Sequence, residues 1–251
     1  MNRGAQNNNS DNNNSDYSMN IHEYQAKQLF ATAQIPVAKG QVAHSVAAAE
    51  KVADNLGGVA WVVKAQVHSG GRGEAGGVRR VEGKAELDRY VSELMSRPLV
   101  TRQSGEKGLP VNAVLIEELC DYERELYLSI LVDREREGLM ILASPEGGMD
   151  IESEAGRARL MQCPIDSVAG LRSHHLRALI RHLQLDKPLH KPFAELMSNL
   201  LRLFHERDLS LVEINPLVIT RSQGLLALDA KINIDDNALY RQPKILAYRD
   251  A

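Results

Sequence analysis

A chain of 251 residues, 43% apolar, 25% charged and only 4% aromatic, has enough material to bury one large core or two small ones. A formal charge of −3 provides no global field to draw nucleic acid or anionic lipid, which disfavours histone-like and polybasic membrane roles. Cys120 and Cys163 fall in no CxxC or Cys/His ligand spacing, so a disulfide framework and a structural zinc site are disfavoured. The absence of a long apolar run and of a signal-like N-terminus points to a soluble, cytoplasmic chain.

Residues 1–18 (MNRGAQNNNSDNNNSDYS) are too polar to offset the entropy of ordering them and read as a disordered extension. Folding is expected from Met19, with Asn20 capping a helix and Glu23 completing a capping box. Ala26, Leu29, Phe30 and Ala33 then mark one buried helical face. Beyond 35–37, a helix over 45–56 ends at Gly57 and Gly58, and a strand runs over 59–67. A glycine-rich loop and a short strand near Val78 follow, and Leu87, Tyr90, Val91 and Leu94 give the next amphipathic helix. The apolar runs 111–116, 126–132 and 139–143 read as successive strands of a sheet. Helices near 173–184 and 193–206 precede strands over 209–214, 217–220 and 225–230. Early βα alternation with later clustered strands predicts an α+β architecture rather than a doubly wound parallel sheet, and no internal repeat is found.

The strand AWVVKAQVH (60–68) places Trp61, Val63, Ala65 and Val67 on one face and Val62, Lys64, Gln66 and His68 on the other. A lysine amid an apolar strand needs an anion or a path to water; a bound phosphate would serve, and so would an edge-strand position with the ammonium in solvent. In GGRGEAGG (70–77), glycines surround Arg72 and allow backbone amides to close on phosphate oxygens. The loop matches neither a P-loop nor GxGxxG, and an unliganded hairpin tip is the alternative. Glu117 and Glu118 end an apolar run, and Glu125, Tyr127 and Ser129 share a face of the next strand. Such acids can accept from ribose hydroxyls or simply be solvated. Toward the C-terminus, Leu211, Glu213 and Asn215 alternate onto one face, as do Leu225, Ala227 and Asp229. The turn centred on Ser222 sets Asn215 and Asp229 opposite or nearly opposite each other, an amide oxygen beside a carboxylate that suits Mg²⁺. Turn formation at Pro216 and local capping by Asp229 is the other reading.

The strings NIHEYQAKQLF (20–30), WVVKAQVHSGGRG (61–73), ERELYLS (123–129), EGGMDIE (146–152), EINPLVIT (213–220) and LDAKINIDDNALYRQ (228–242) closely resemble the β subunit of succinyl-CoA synthetase (succinate–CoA ligase), in its N-terminal ATP-grasp domain. The resemblance implies an ATP-grasp fold over 19–251, with two α+β subdomains clasping a nucleotide. It implies Lys64 as the nucleotide-phosphate lysine and Gly71, Arg72 and Gly73 as the loop over the phosphates. Glu117, Cys120 and Glu125 would be adenosine-side contacts, and Asn215 and Asp229 the Mg²⁺ ligands. Glu213 would approach a phosphohistidine on a partner α subunit. The implied reaction uses Mg-ATP (or GTP) to phosphorylate that histidine, passes the phosphoryl group to a dicarboxylic acid and releases a coenzyme A thioester. Lys64, Arg72 and Mg²⁺ are its electrophilic parts. Three features depart from the family: Glu74 where a basic residue is usual, a shortened acidic stretch after EGGMDIE, and an end at Ala251, where a flavodoxin-like second domain would begin. A malate- or citrate-type ligase subunit and a non-catalytic nucleotide-binding module are the rival readings.

Overall fold

A computed structural model describes residues 18–148 and 154–249 of the chain. Most of the Asn-rich extension and part of EGGMDIE lie outside them. In chain order the elements are β1 (Ser18–Asn20), α1 (Glu23–Thr32), β2 (Gly40–Ala43), α2 (Val46–Leu56), β3 (Ala60–Ala65), β4 (Val78–Glu82), α3 (Gly83–Ser96), β5 (Val114–Glu118), β6 (Tyr122–Asp133), β7 (Gly138–Ser144), α4 (Glu154–Ala158), β8 (Met161–Ile165), α5 (Ser173–His182), α6 (His190–Glu206), β9 (Leu209–Thr220), β10 (Leu225–Ala227), β11 (Lys231–Asp235) and α7 (Pro243–Leu246). No described helix is long and apolar enough to cross a membrane.

The strands form two sheets, and every pairing between named strands is antiparallel. The larger runs β1-β11-β9-β6-β7-β8, with β10 also on β9; the smaller runs β2-β5-β3-β4. Each has its own core. Helices α1, α5 and α6 close the large sheet with Phe30, Leu179, Phe193, Met197 and Leu200. Helices α2 and α3 close the small one with Ala49, Val52, Leu87, Tyr90, Val91 and Leu94. Two sheets, each covered by its own helices, is the α+β arrangement expected from the pattern.

Local signals explain much of this. Ser45 caps α2 by accepting from the Ala48 N–H at 3.2 Å, and Gly57 ends that helix at φ +72°. Ala26, Leu29, Phe30 and Ala33 of the first helical face are all buried.

Four expectations are corrected. Ser18, Met19 and Asn20 are a strand paired with Asp235, Ile234 and Asn233, so the order begins within the segment read as disordered and Asn20 is no helix cap. Helix α1 starts two residues later than that cap would set it: the His22 N–H donates to Gln25 Oε1 at 2.8 Å, and Glu23 turns inward. The run 111–116 does not neighbour those at 126–132 and 139–143, because β5 pairs with β2 and β3 in the small sheet while β6 and β7 lie in the large one. Strands 209–214 and 217–220 are one strand, β9, whose register on β6 shifts between Leu126 and Leu128.

Phe30 fills the contact between α1 and the large core with no exposed surface. Phe30→Ala is expected to lower stability by about 3–5 kcal/mol through lost burial and the cavity left behind, read as a lowered urea midpoint at unchanged slope.

Candidate functional site

Strand β3 lies inside its sheet, between β5 and β4, which overturns the edge-strand reading of Lys64. Its odd residues Trp61, Val63 and Ala65 enter the small core, and Lys64 and Gln66 project from the opposite face into the junction between subdomains. There Lys64 Nζ meets Glu23 Oε1 at 2.8 Å, Glu117 Oε2 at 2.7 Å and the Leu228 carbonyl. Lys27, one turn after Glu23 on α1, makes a parallel set: Glu23 at 3.0 Å, Glu117, and the Leu228 carbonyl at 2.7 Å. Arg72 donates to the Ala65 carbonyl at 2.8 Å, to Glu23 Oε2 at 2.8 Å and to both Asp229 oxygens at 2.9 and 3.0 Å. Three cations and three carboxylates, drawn from α1, the small sheet with its loop, and the β10–β11 connection, therefore compensate one another at the junction.

Burial sets the energetic scale. Glu23 and Glu117 side chains are each 2% exposed and Lys64 9%. Burial pushes the Glu23 carboxyl up, but Lys64, Lys27 and Arg72 outweigh it and hold the group well below the usual carboxylate range. Burial likewise opposes the Lys64 ammonium, while Glu23, Glu117 and Asp229 raise its affinity for the proton overall. Removing one partner from such a set strands a buried charge, at a cost of about 3–5 kcal/mol. Glu117 is thus no solvated acid at a strand end.

The glycine loop is tied down at several points. Its stem closes through Ala65 N–H to Gly77 O at 2.7 Å, and inside it the Gly77 N–H returns to Arg72 O at 2.7 Å. The buried Tyr90 hydroxyl donates to Gly76 O at 2.7 Å, and the Gly70 N–H donates to Gln103 Oε1 at 2.7 Å. This replaces the loose hairpin tip with a wound turn whose outer residues Gly71, Gly73 and Glu74 are exposed, Gly71 at a left-handed φ of +74°. The turn directs Arg72 inward.

Asn215 and Asp229 fall opposite each other, because Ala227↔Leu217 and Lys231↔Glu213 flank them at one constant offset. The expected shared face of Leu225, Ala227 and Asp229 is not found: Leu225 and Ala227 enter the large core, the chain bends at 228–229, and the core face resumes at Ala230 and Ile232. That bend leaves Asp229 half-buried on the junction side. Asn215 Oδ1 accepts from the Gly148 N–H at 2.7 Å, and a side chain at Gly148 would strike the Glu125 carboxylate, so Glu125 and Asn215 meet at one loop. Glu125 also accepts from the Tyr122 hydroxyl at 2.6 Å. Glu213 lies two residues before Asn215, in register with Ser129. Cys120 is half-buried in the β5–β6 connection, its thiol raised by burial and by Asp121 and Glu118. Cys163 is core.

No group of three or more His, Cys, Asp or Glu that could hold a metal occurs among the described residues. An amide oxygen opposite a carboxylate nevertheless fits Mg²⁺ in donor type, as a two-ligand site completed by water and phosphate. Arg72 already occupies the Asp229 oxygens, so a metal would have to displace it.

Glu23, Lys27 and Gln66 escaped the motif reading as site residues. Glu23 and Lys27 stand at i, i+4 beside the apolar face of α1, and that spacing was the available signal; a capping role for Glu23 explained it away. Gln66 accepts from the Tyr24 N–H at 3.1 Å and so ties the end of β3 to α1.

The family model for the ATP-grasp domain matches residues 20–219. The ADP-forming succinate–CoA ligase subunit beta of Thioalkalivibrio sulfidiphilus is 50% identical over 234 residues, covering 92% of this chain and 61% of that protein. The same subunit from Coxiella burnetii is 48% identical over 235 residues, covering 92% and 60%. The chain therefore spans about three fifths of the length of these relatives. Among solved structures, ATP citrate lyase from Methanothrix soehngenii in complex with citrate and coenzyme A aligns with a TM-score of 0.74 at 22% identity, over 93% of this chain and 55% of that one. A dinucleotide-forming acetyl-coenzyme A synthetase 1 of Ca. Korarchaeum cryptofilum, in complex with coenzyme A, Ca-AMPCP and HgCl+, aligns at 0.66 and 19% identity, over 86% and 93%. These structural likenesses concern the fold; the match along 20–219, together with two sheets joined at a charged junction, establishes that the chain belongs to the ATP-grasp family.

Proposed function

We propose that this chain is the nucleotide-binding part of an ADP-forming succinate–CoA ligase β subunit, acting in the cytoplasm on Mg-ATP or GTP with an α subunit that carries a phosphorylatable histidine. The observation that carries the reading is the convergence of Lys64, Arg72 and Asp229 on one junction between the two subdomains, in a chain half identical to such subunits.

In this reading the Lys64 ammonium and the Arg72 guanidinium bind the phosphates, and the exposed amides around Gly71 and Gly73 close over them. Cys120 and Glu125 lie toward the adenosine; Glu117 joins them only by releasing one of its lysines. Asn215 and Asp229 would hold Mg²⁺, which when bound supplies charge neutralisation at the phosphate oxygens. Glu213, on the same strand face as Asn215, would meet the histidine of the α subunit and orient it. The domain supplies no nucleophile. Its residues position the phosphoryl group and neutralise its charge while the partner histidine takes it and passes it to succinate for thioester formation with coenzyme A. Handling of the acid and much of the α-subunit contact belong, in this reading, to a second domain beyond 19–251. Glu74 is exposed at the loop tip, where its charge would weaken nucleotide affinity.

Three measurements test this. Mixed with a cognate α subunit and γ-labelled Mg-ATP, the chain should place acid-labile label on histidine; nucleotide binding without transfer would favour a non-catalytic module. In calorimetry with metal saturating, Lys64→Ala should raise the Kd for Mg-ADP on the order of 10–100-fold, equivalent to about 1.5–3 kcal/mol for a charge-assisted hydrogen bond. An unchanged Kd would remove Lys64 from the phosphate site. Asp229→Ala should abolish the metal dependence of binding, and a retained Mg²⁺ requirement would refute the metal assignment.

A further inference from the structure

Lys27 has no part in the phosphate contacts assigned above, yet it is built into the same buried network. Its ammonium uses the same acceptors as that of Lys64: Glu23 (3.0 Å from Lys27, 2.8 Å from Lys64), Glu117, and the Leu228 carbonyl. Two ammoniums thus share two carboxylates and one carbonyl in a neutral cluster. Each ammonium makes two hydrogen bonds and one further ion pair within this set: Lys27 bonds Glu117 and the Leu228 carbonyl and pairs with Glu23, and Lys64 bonds Glu23 and the Leu228 carbonyl and pairs with Glu117. The Lys64 side chain is 9% exposed within this set, so turning toward a phosphate oxygen draws its ammonium away from these partners.

The charge count then separates the two lysines. With Lys64 drawn to phosphate, Glu23 and Glu117 keep one shared cation, Lys27; without Lys27 they would keep none in common. The other charged group facing Glu23 is Arg72 from the glycine loop, itself shared with Asp229, and the Gln66 amide lies 3.5 Å from Glu23. Among the described contacts, Glu117 faces only the two lysines as cations. A buried carboxylate that loses its cation takes up a proton.

We infer that Lys27 is a holding cation: it keeps the Glu23 and Glu117 carboxylates charge-compensated and in place while Lys64 passes to the nucleotide phosphates. It is a positioning residue, and the inference rests on the phosphate role proposed for Lys64.

The test is calorimetric titration of the whole chain with Mg-ADP at about pH 8, above the usual histidine range, in two buffers of different ionisation enthalpy. The dependence of binding heat on buffer counts protons taken up. Wild type should take up close to none. Lys27→Met should take up about one, with a Kd that rises about tenfold per pH unit. Lys27→Arg should restore proton-neutral binding. Lys27→Met binding as proton-neutral and pH-independent as wild type overturns the inference. So does proton uptake by wild type or by Lys27→Arg, two measurements that decide the matter even if circular dichroism finds Lys27→Met unfolded. Failure of wild type to bind Mg-ADP at all is a different result, and it removes the nucleotide reading itself.

Discussion

The junction is organised by one constraint: a carboxylate, Glu23, sits where two separately cored sheets meet and can remain there ionised only if cations reach it from several sides. Lys27 comes from its own helix, Lys64 from the centre of the small sheet and Arg72 from the loop beyond that strand. Each supplies charge that burial would otherwise deny to Glu23, and each is in turn neutralised by it. The hydrophobic cores do not cross this boundary. The charged layer, with the Leu228 carbonyl accepting from both ammoniums, is the polar part of the seam, and its strength depends on an even charge count rather than on apolar area.

What the sequence made legible follows strand parity and turn geometry. The alternation through 60–68 puts Lys64 on the polar face, where it needs an anion or a path to water, and the turn at Ser222 puts Asn215 opposite or nearly opposite Asp229, as the register does. Helix α2 runs between Ser45 and Gly57 as those residues indicate, and Leu87, Tyr90, Val91 and Leu94 form the buried face of α3. Each of these rests on local chemistry that a few neighbouring residues determine.

The missed features are those in which distant segments decide. Chain order made β5 look like a neighbour of β6, but its partners β2 and β3 precede it by dozens of residues, and no local signal names a partner across such a gap. Strands β1 and β11 are short; β11 exists because it pairs with β9, and β1 because it completes the edge of the sheet on β11. Glu23 could cap a helix or pair with cations using the same carboxylate. Only the arrival of Lys64 and Arg72, 41 and 49 positions away in the numbering, selects the second use. The bend at 228–229 defeated simple alternation by one residue, and it is this bend that presents the Leu228 carbonyl and the Asp229 carboxylate to the junction.

Exposure grades the network in an order that bears on how it could exchange partners. The Asp229 side chain is 37% exposed, against 2% for Glu23 and for Glu117, so solvent reaches the Arg72–Asp229 pair first and the lysine cluster last. An ion pair with one wet partner opens at modest cost, since water takes over the freed charge. Opening the inner cluster without a replacement anion would strand a buried ammonium or carboxylate. In the nucleotide reading the sequence of events follows from that gradient. Asp229, at the accessible rim, would be the residue to hold a divalent cation once Arg72 releases it, the freed guanidinium would meet the incoming phosphates, and only then would an anion lie close enough for Lys64 to exchange one partner for another without an interval of uncompensated charge. In that reading the site would favour the metal–nucleotide complex over free nucleotide, because the first displacement would require a cation and the second an anion.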